Sequence, residues 1–575
     1  MSSESARHPA PQYEEEQYEL SEDGRLLQPK LRYSTSYKDG ASIDWLQEEM
    51  VERDHQQALK SQAGVRGILS PVFDAARGWL VVILTGMGVG IAGAWLDVLV
   101  KWLGDLREGR CSYGFFYNQV ACCSGIDPGE ICYEWKSWST YFGFHSIFGS
   151  SLLQSFVYVA LAIAFAASAA VLVVAYAPYA FHTGKIKAIL GGYVLDAFLS
   201  PWTLLIKALG LALAVASGLS LGKEVHSSMF FTHSTTQSQH AQGPLTNEAS
   251  KRRILAAAAA AGVSVAFGSP LGGVLFGLEE LDTFSNESEV MWKGFVASAI
   301  AAVALQWVNP FGTAKLVLFQ VTYVDNTWRA RNSLIGDWPI LEVVCMSAVT
   351  AAVSYLVVFA RAQSSELVAN LFQECDPSKG DYHGLCNPTA SGQNIFLLVL
   401  TAAMKFVLTA WTFGMMVPAG IFLPTIAIGA CLGRAVGLIT QSVYRLYPTA
   451  WVFLSCPPDP SVRCISPGFY AVIGAAGMLG GVTRMTISLV VILFELTGAL
   501  SHVLPIMIAV MTAKWVGDAH GTDGIYAAWI AMRRYPWLPP VDFKDTRVAT
   551  GENIMKSVDR LVKIEDGAVA VGELG

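Results

Sequence analysis

The chain has 575 residues, of which 53% are hydrophobic and only 15% charged, with a mean hydropathy of +0.41 and a formal net charge of −7. Soluble domains carry about 25% charged residues, so this chain lacks the charges needed to solvate several of them. That composition excludes a disordered chain and a collagen, and the negative balance excludes a nucleic-acid binder, which leaves an integral membrane protein with modest polar ends.

Residues 1–40 are polar and rich in Glu and Tyr, with Glu14, Glu15, Glu16 and Glu19 close together. No apolar run in them would serve as a secretory signal, and they read as a disordered cytosolic tail. Asp44 with Gln47 three residues later is a helix-start signature. It precedes a charged amphipathic helix reaching about Lys60, expected to lie beside the membrane domain in the cytosol.

From residue 78 to about 518, apolar runs alternate with short polar breaks. Trp79–Leu103 and Leu152–Phe181 are long enough to cross a bilayer core, which takes about 20 residues; Trp338–Phe359 and Gln393–Phe413 follow. Other runs are short or broken by Gly and Pro: Trp202–Leu221, Leu255–Phe267, Leu271–Leu278, Gly420–Ala430, Phe469–Leu479 and Ile487–Phe494. Lipid supplies no hydrogen bonds, so broken helices survive only where protein or a water-filled path satisfies the freed backbone. Short interrupted segments in both halves of a chain point to a transporter built from repeats, with its site near the midplane.

Ten cysteines are present; Cys111, Cys122, Cys123 and Cys132 share one polar loop, and Cys375/Cys386 and Cys456/Cys464 form close pairs. No His completes a zinc set, and disulfides fit only if these loops face an oxidising lumen. Gly88-Val89-Gly90-Ile91-Ala92-Gly93 matches the dinucleotide fingerprint, but it lies inside a spanning run, where small residues serve helix packing. Charges fall in or beside the apolar runs at Lys185, Lys187, Lys207, Lys223, Glu224, Glu279, Glu280, Lys405, Arg484, Glu495 and Lys514. The lysines have stems long enough to reach water, whereas glutamates do not, so Glu224 and Glu280 are the stronger functional candidates.

Four stretches carry a more specific signal: Leu221-Gly222-Lys223-Glu224, Gly420-Ile421-Phe422-Leu423-Pro424, and the long runs 261–280 and 474–498. With Gly524-Ile525-Tyr526, they make the chain resemble the CLC family of chloride channels and chloride/proton antiporters, from about residue 42 onward. The residues fit anion transport in their own right. Gly420, Phe422 and Pro424 bracket a helix start, Gly allowing close backbone approach and Pro suiting a first turn that needs no N–H. Such an end binds anions through its N–H groups and dipole. The resemblance implies that the N–H groups of Ile421 and Phe422 and the Tyr526 hydroxyl hold chloride; by itself Tyr526 reads equally as a membrane-interface anchor. It also implies that Glu224, with Gly222 and Lys223 before it, is the external gate and proton carrier. Glu280 matches the second of a carboxylate pair that hands protons in from the cytosol in antiporters, where plain channels place an apolar residue. On the residues alone, Glu279 and Glu280 read as a surface pair where a helix reaches the cytosol.

Two departures from the family pattern stand out. Phe181 falls where the family's chloride-binding serine belongs, and Thr183 would substitute only with a shifted turn. Glu224 is followed by Val225-His226 rather than Gly-Pro, and Gly243-Pro244 appears only after residues 225–242, a stretch rich in Ser, Thr, His and Gln. That interruption looks like a mis-joined gene or an alternative transcript.

The expected fold is therefore all-α: a polytopic membrane protein with inverted repeats and broken, tilted helices. It comprises a cytosolic tail at 1–74, a transport domain at 75–535 in halves of about 75–310 and 335–535, and a stub at 536–575. The stub resembles the approach to a cytosolic CBS module, too short to build a core, so no nucleotide site is expected. The resemblance implies a homodimer in a Golgi, endosomal or vacuolar membrane that moves chloride, with protons in exchange. The alternatives are an uncoupled voltage-gated chloride channel and a transport-impaired dimerising or regulatory relative. HExxH, a nucleophile elbow and metal-spaced His clusters are absent from the sequence, so no enzymatic activity, metal or cofactor is expected.

Overall fold

The structure, a computed structural model, describes residues 43, 45–61, 65–123, 132–144, 146–176, 189, 201–221, 248–280, 288–308, 338–374, 384–387, 390–413, 415–453, 456, 464–498, 500–521 and 523–528. Helix α1, Trp45–Lys60, is the amphipathic helix announced by Asp44 and Gln47. Helix α2, Val65–Leu106, contains the predicted run Trp79–Leu103 but starts 14 residues earlier. Pro71 lies inside it, in the second turn, where it removes the amide that would bond the Gly67 carbonyl. At 1.5 Å per residue α2 is roughly 60 Å long, about twice a hydrocarbon core.

Beyond α2 the chain makes a small folded cap. Strand β1, Gly109–Cys111, pairs antiparallel with β2, Trp135–Ser137. Two short helices, α3 (Gln119–Cys122) and α4 (Trp138–Tyr141), are capped by Asn118 and Ser137, whose side chains accept from the Ala121 and Thr140 amides. Disulfides Cys111–Cys122 and Cys123–Cys132 staple the cap, and Cys456–Cys464 closes a later loop. Cys386 is also disulfide-bonded, while Cys375 lies outside the described residues. The loops that carry these bonds belong on an oxidising face.

The remaining helices are α5 (Ile147–Tyr176), α6 (Pro201–Ala216), α7 (Glu248–Phe267), α8 (Pro270–Glu280), α9 (Ser288–Val308), α10 (Pro339–Leu356), α11 (Val358–Arg361), α12 (Ser364–Phe372), α13 (Ser391–Thr412), α14 (Phe422–Leu446), α15 (Pro467–Thr483), α16 (Ile487–Thr497) and α17 (Val503–Asp518). Among the described residues six helices are long and apolar enough to cross a bilayer, and four apolar helices are shorter. The fold is all-α, polytopic and built with broken helices.

Two elements correct the sequence reading. Helix α9 was not among the predicted runs, because Trp292-Lys293-Gly294 and Gln306 interrupt its apolar stretch, yet it packs against α2 and α7. Helix α14 continues 16 residues past Ala430, where Gly433, Arg434 and Gly437 read as a break. Arg434 is tolerated because it is buried with work to do: its guanidinium donates to the Leu371 and Gln373 carbonyls at the end of α12, each at 2.7 Å.

The GxGxxG stretch is packing, as expected. A Cβ on Gly90 would stand 2.5 Å from the Ala301 carbonyl oxygen, so α2 and α9 approach backbone to backbone. Helix α14 forms the centre of the main core, clasped by α13 and α15, with Ala427, Ala430 and Cys431 inaccessible to solvent.

Candidate functional site

The centre of the molecule holds the first turn of α14. Ile421 is its N-cap, and an isoleucine offers no side-chain acceptor to the amides that follow. Pro424 sits in that first turn, and the first intrahelical bond runs from the Thr425 amide to the Ile421 carbonyl at 3.1 Å. Gly420, Ile421, Phe422 and Pro424 are all buried. An α-helix begins with N–H groups that lack intrahelical partners, and here they begin in the core, with the helix dipole behind them.

Phe422 anchors this turn by its ring. It meets Phe267 from the end of α7 at 5.8 Å, Phe276 of α8 at 6.5 Å, and Tyr526 at 6.4 Å between centroids. Tyr526 is only 8% exposed, so it is a core residue rather than a membrane-interface anchor. The segment that carries it is held by Arg484, whose guanidinium donates to the Gly521 carbonyl at 3.1 Å and pairs with Asp518 at 3.4 Å. Arg484 takes the left-handed conformation, φ 66°, to end α15 and turn the chain toward α16.

Helices α8 and α16 run antiparallel, and each closes the other's start. Glu279, near the end of α8, accepts from the Thr486 amide at 2.6 Å and hydroxyl at 2.8 Å, and from the Ser488 amide at 2.8 Å and hydroxyl at 2.5 Å. Glu495, near the end of α16, accepts from the Leu271 amide at 3.3 Å, the Gly272 amide at 3.0 Å and the Ser269 hydroxyl. Glu279 is therefore not half of a surface pair. It is a helix cap supplied from a neighbouring helix.

The other predicted residues divide three ways. Gly222, Lys223 and Glu224 lie outside the described residues, as do Phe181 and Thr183; Leu221, the first residue of that stretch, is described, and the described chain resumes at Glu248. Glu280 ends α8, but its side chain is outside the described set. Lys405 does not reach for water: it is buried, with Nζ donating to Ser364 Oγ at 3.0 Å. Sequence reasoning missed the paired caps, although a signal existed. Ser269 and Glu279, like Thr486 and Glu495, place a hydroxyl before and a carboxylate near the end of two 11-residue apolar helices.

The family model described as voltage gated chloride channel matches residues 162–329 and 317–518. Human H(+)/Cl(-) exchange transporter 3 is 38% identical over 572 residues, covering 88% of this chain and 68% of the relative. H(+)/Cl(-) exchange transporter 5 of Cavia porcellus is 37% identical over 567 residues, covering 88% and 75%. The chain belongs to the CLC family. Two solved structures share its fold: a eukaryotic CLC transporter, with TM-score 0.53, 23% identity and coverage of 79% of this chain and 74% of the other; and a slow cyanobacterial Cl-/H+ antiporter, with TM-score 0.54, 16% identity and coverage of 80% and 98%. This CLC chain is accordingly an integral, multi-pass membrane protein.

Proposed function

We propose that the chain exchanges chloride for protons across an intracellular membrane. The observation that carries the reading is the buried start of α14, with Ile421 as its cap and Tyr526 against its first ring. A helix start that carries no acceptor of its own and faces protein rather than water is an anion site. The amides of Ile421 and Phe422 and the Tyr526 hydroxyl would hold chloride there, framed by Gly420 and Pro424. The relatives at 37–38% identity are named as H(+)/Cl(-) exchange transporters, which supports exchange over simple conduction. Glu224, after Gly222 and Lys223, would serve as gate and proton carrier, and Glu280 as the proton relay. The protein would work as a homodimer, in a Golgi, endosomal or vacuolar membrane.

A second reading, a transport-impaired partner that dimerises with an intact relative, is favoured by residues 225–242 after Glu224 and by Phe181 in place of a serine. Purified protein in liposomes, with chloride efflux and external pH recorded together, separates them. Chloride flux with opposing proton flux, in which Glu280→Ala removes the proton component and leaves chloride flux, supports exchange. Chloride flux without protons makes the protein a channel, and no flux leaves the dimerising partner. Sequencing the message across codons 175–255 tests the interruption independently.

A further inference from the structure

The disulfide-stapled cap stands between the spanning helices α2 and α5, and its contacts fix its height against them. The Trp138 indole donates to the Leu106 carbonyl at the end of α2, at 2.8 Å, and the Gln119 amide donates to Asp105 Oδ2 at 2.9 Å. From α5, Gln154 Nε2 donates to the Glu108 carbonyl at 2.7 Å. Gln154 lies two turns inside α5, so the cap is gripped about 10 Å along that helix from its start. It is level with the first turns of a spanning helix rather than raised above them.

Both helices turn apolar stripes outward near this level. On α5 the exposed stripe is Phe148, Leu152 and Phe156; on α2 it is Trp95 and Val98, followed by half-buried Trp102. The cap continues the α2 stripe directly. Trp102 stacks on Phe116 with centroids 5.6 Å apart, meets Phe115 edge-on at 5.5 Å, and donates from its indole to the Phe115 carbonyl at 2.9 Å. Toward α5, Trp138 meets Tyr141 at 6.0 Å and stacks on Phe142 at 6.2 Å. These outer rings are not enclosed: Phe115, Phe116, Tyr141 and Phe142 are exposed, Phe116 at 81%. Contiguous apolar rings left outside a core mark an interaction surface, and here they prolong surfaces that already face lipid.

The polar side of the cap fits the same neighbour. Arg110 of β1 and Lys136 of β2 are directly opposed in the antiparallel pair, so two cations share one face of the sheet. Tyr141 holds Arg110 in place: Nη1 donates to its hydroxyl at 3.3 Å, and the guanidinium lies 5.4 Å from that ring and 5.8 Å from the Phe115 ring. A cation set among exposed rings matches the depth at which lipid phosphates lie above acyl chains. Glu134, on the same face, is engaged by the Ser112 hydroxyl, and exposed Glu108 evens the count of charges. A zwitterionic phospholipid, which brings its own phosphate, therefore serves as well as an anionic one. We infer that the cap is a foot set into the headgroup layer of the bilayer on the oxidising face. Phe115, Phe116 and Phe142 lie among the upper acyl carbons, and Arg110 and Lys136 meet lipid phosphates. The occupant of this surface is phospholipid, not a protein partner, whether or not the chain transports chloride.

The test places the photoreactive residue p-benzoylphenylalanine at Phe116 or Phe142 of the full-length protein in phosphatidylcholine liposomes. The same probe at Phe156 of α5 is the lipid-facing reference. After irradiation, mass spectrometry of the labelled peptide should show a phosphatidylcholine adduct at both cap positions, within about threefold of the yield at Phe156. Adding phosphatidylglycerol to the liposomes should leave the yields unchanged. Arg110→Gln combined with Lys136→Gln should lower the yield at Phe116 about threefold and leave Phe156 as it was, with the melting temperature near that of the intact protein. An unchanged yield in that variant would overturn the phosphate contact. Yields at both cap positions more than about tenfold below Phe156 would overturn the whole inference, as would a protein adduct at Phe116 when the irradiation is repeated in cell membranes.

Discussion

The starts of α8 and α16 and the start of α14 make a useful contrast. All three lie within the membrane domain, and all begin with amides that the helix itself cannot satisfy. At α8 and α16 the answer comes from a carboxylate on the neighbouring helix, Glu495 in one case and Glu279 in the other. At α14 the capping position is Ile421, which has nothing to give. A helix start closed by its own protein's carboxylate has no room for a diffusible anion, so the same physics makes two of these ends structural, while the third is the one proposed above to receive chloride. The contrast also shows why a charge in an apolar run is a poor guide to transport: Glu279 and Glu495 hold the frame, whereas the proposed anion site uses backbone.

Four substitutions test that division, beginning with the largest effect. Glu279→Ala strips the Thr486 and Ser488 amides and hydroxyls of their acceptor and should cost about 3–4 kcal/mol, read as a large fall in melting temperature in detergent. Survival without loss of stability would mean that α16 does not need its cap. Ile421→Asp places a carboxylate acceptor at the cap of α14. It should lower chloride affinity roughly a hundredfold, about 2.7 kcal/mol, while stability changes little, as measured by calorimetry and thermal melting on the same sample. If affinity holds, the α14 start is not where chloride binds. Glu495→Gln keeps one acceptor oxygen for the α8 amides and should cost about 1–2 kcal/mol of stability with chloride affinity intact. Tyr526→Phe removes one hydroxyl from the proposed site and should weaken chloride binding less than tenfold, about 1 kcal/mol, leaving the melting temperature near that of the intact protein.

Much of the architecture was legible in the sequence, because apolar run length is a direct record of what lipid demands. The segments around Trp79, Leu152, Trp338 and Gln393 each proved to be a helix, and the short runs at 271–278 and 487–494 proved to be short helices. The helix start at 420–424 was visible from Gly420 and Pro424. What hid the full length of α14 was Arg434, which reads as a charge ending a span until its two carbonyl partners on α12 are known. Lys405 misled in the opposite sense. A long stem usually carries an ammonium to water, and nothing local records that Lys405 is buried against the Ser364 hydroxyl. Pairing between α8 and α16 was beyond reach for a similar reason: their caps join positions more than 200 residues apart.

The three disulfides resolved between pairs of described cysteines have the opposite character, since they join residues only 11, 9 and 8 positions apart. Each can close on its own loop as soon as that loop reaches an oxidising compartment, before the helices that follow have been synthesised. The cap beyond α2 can thus be locked while α14 and its neighbours are still unmade, which fixes early in biosynthesis the side of the membrane on which the chain is committed to stand.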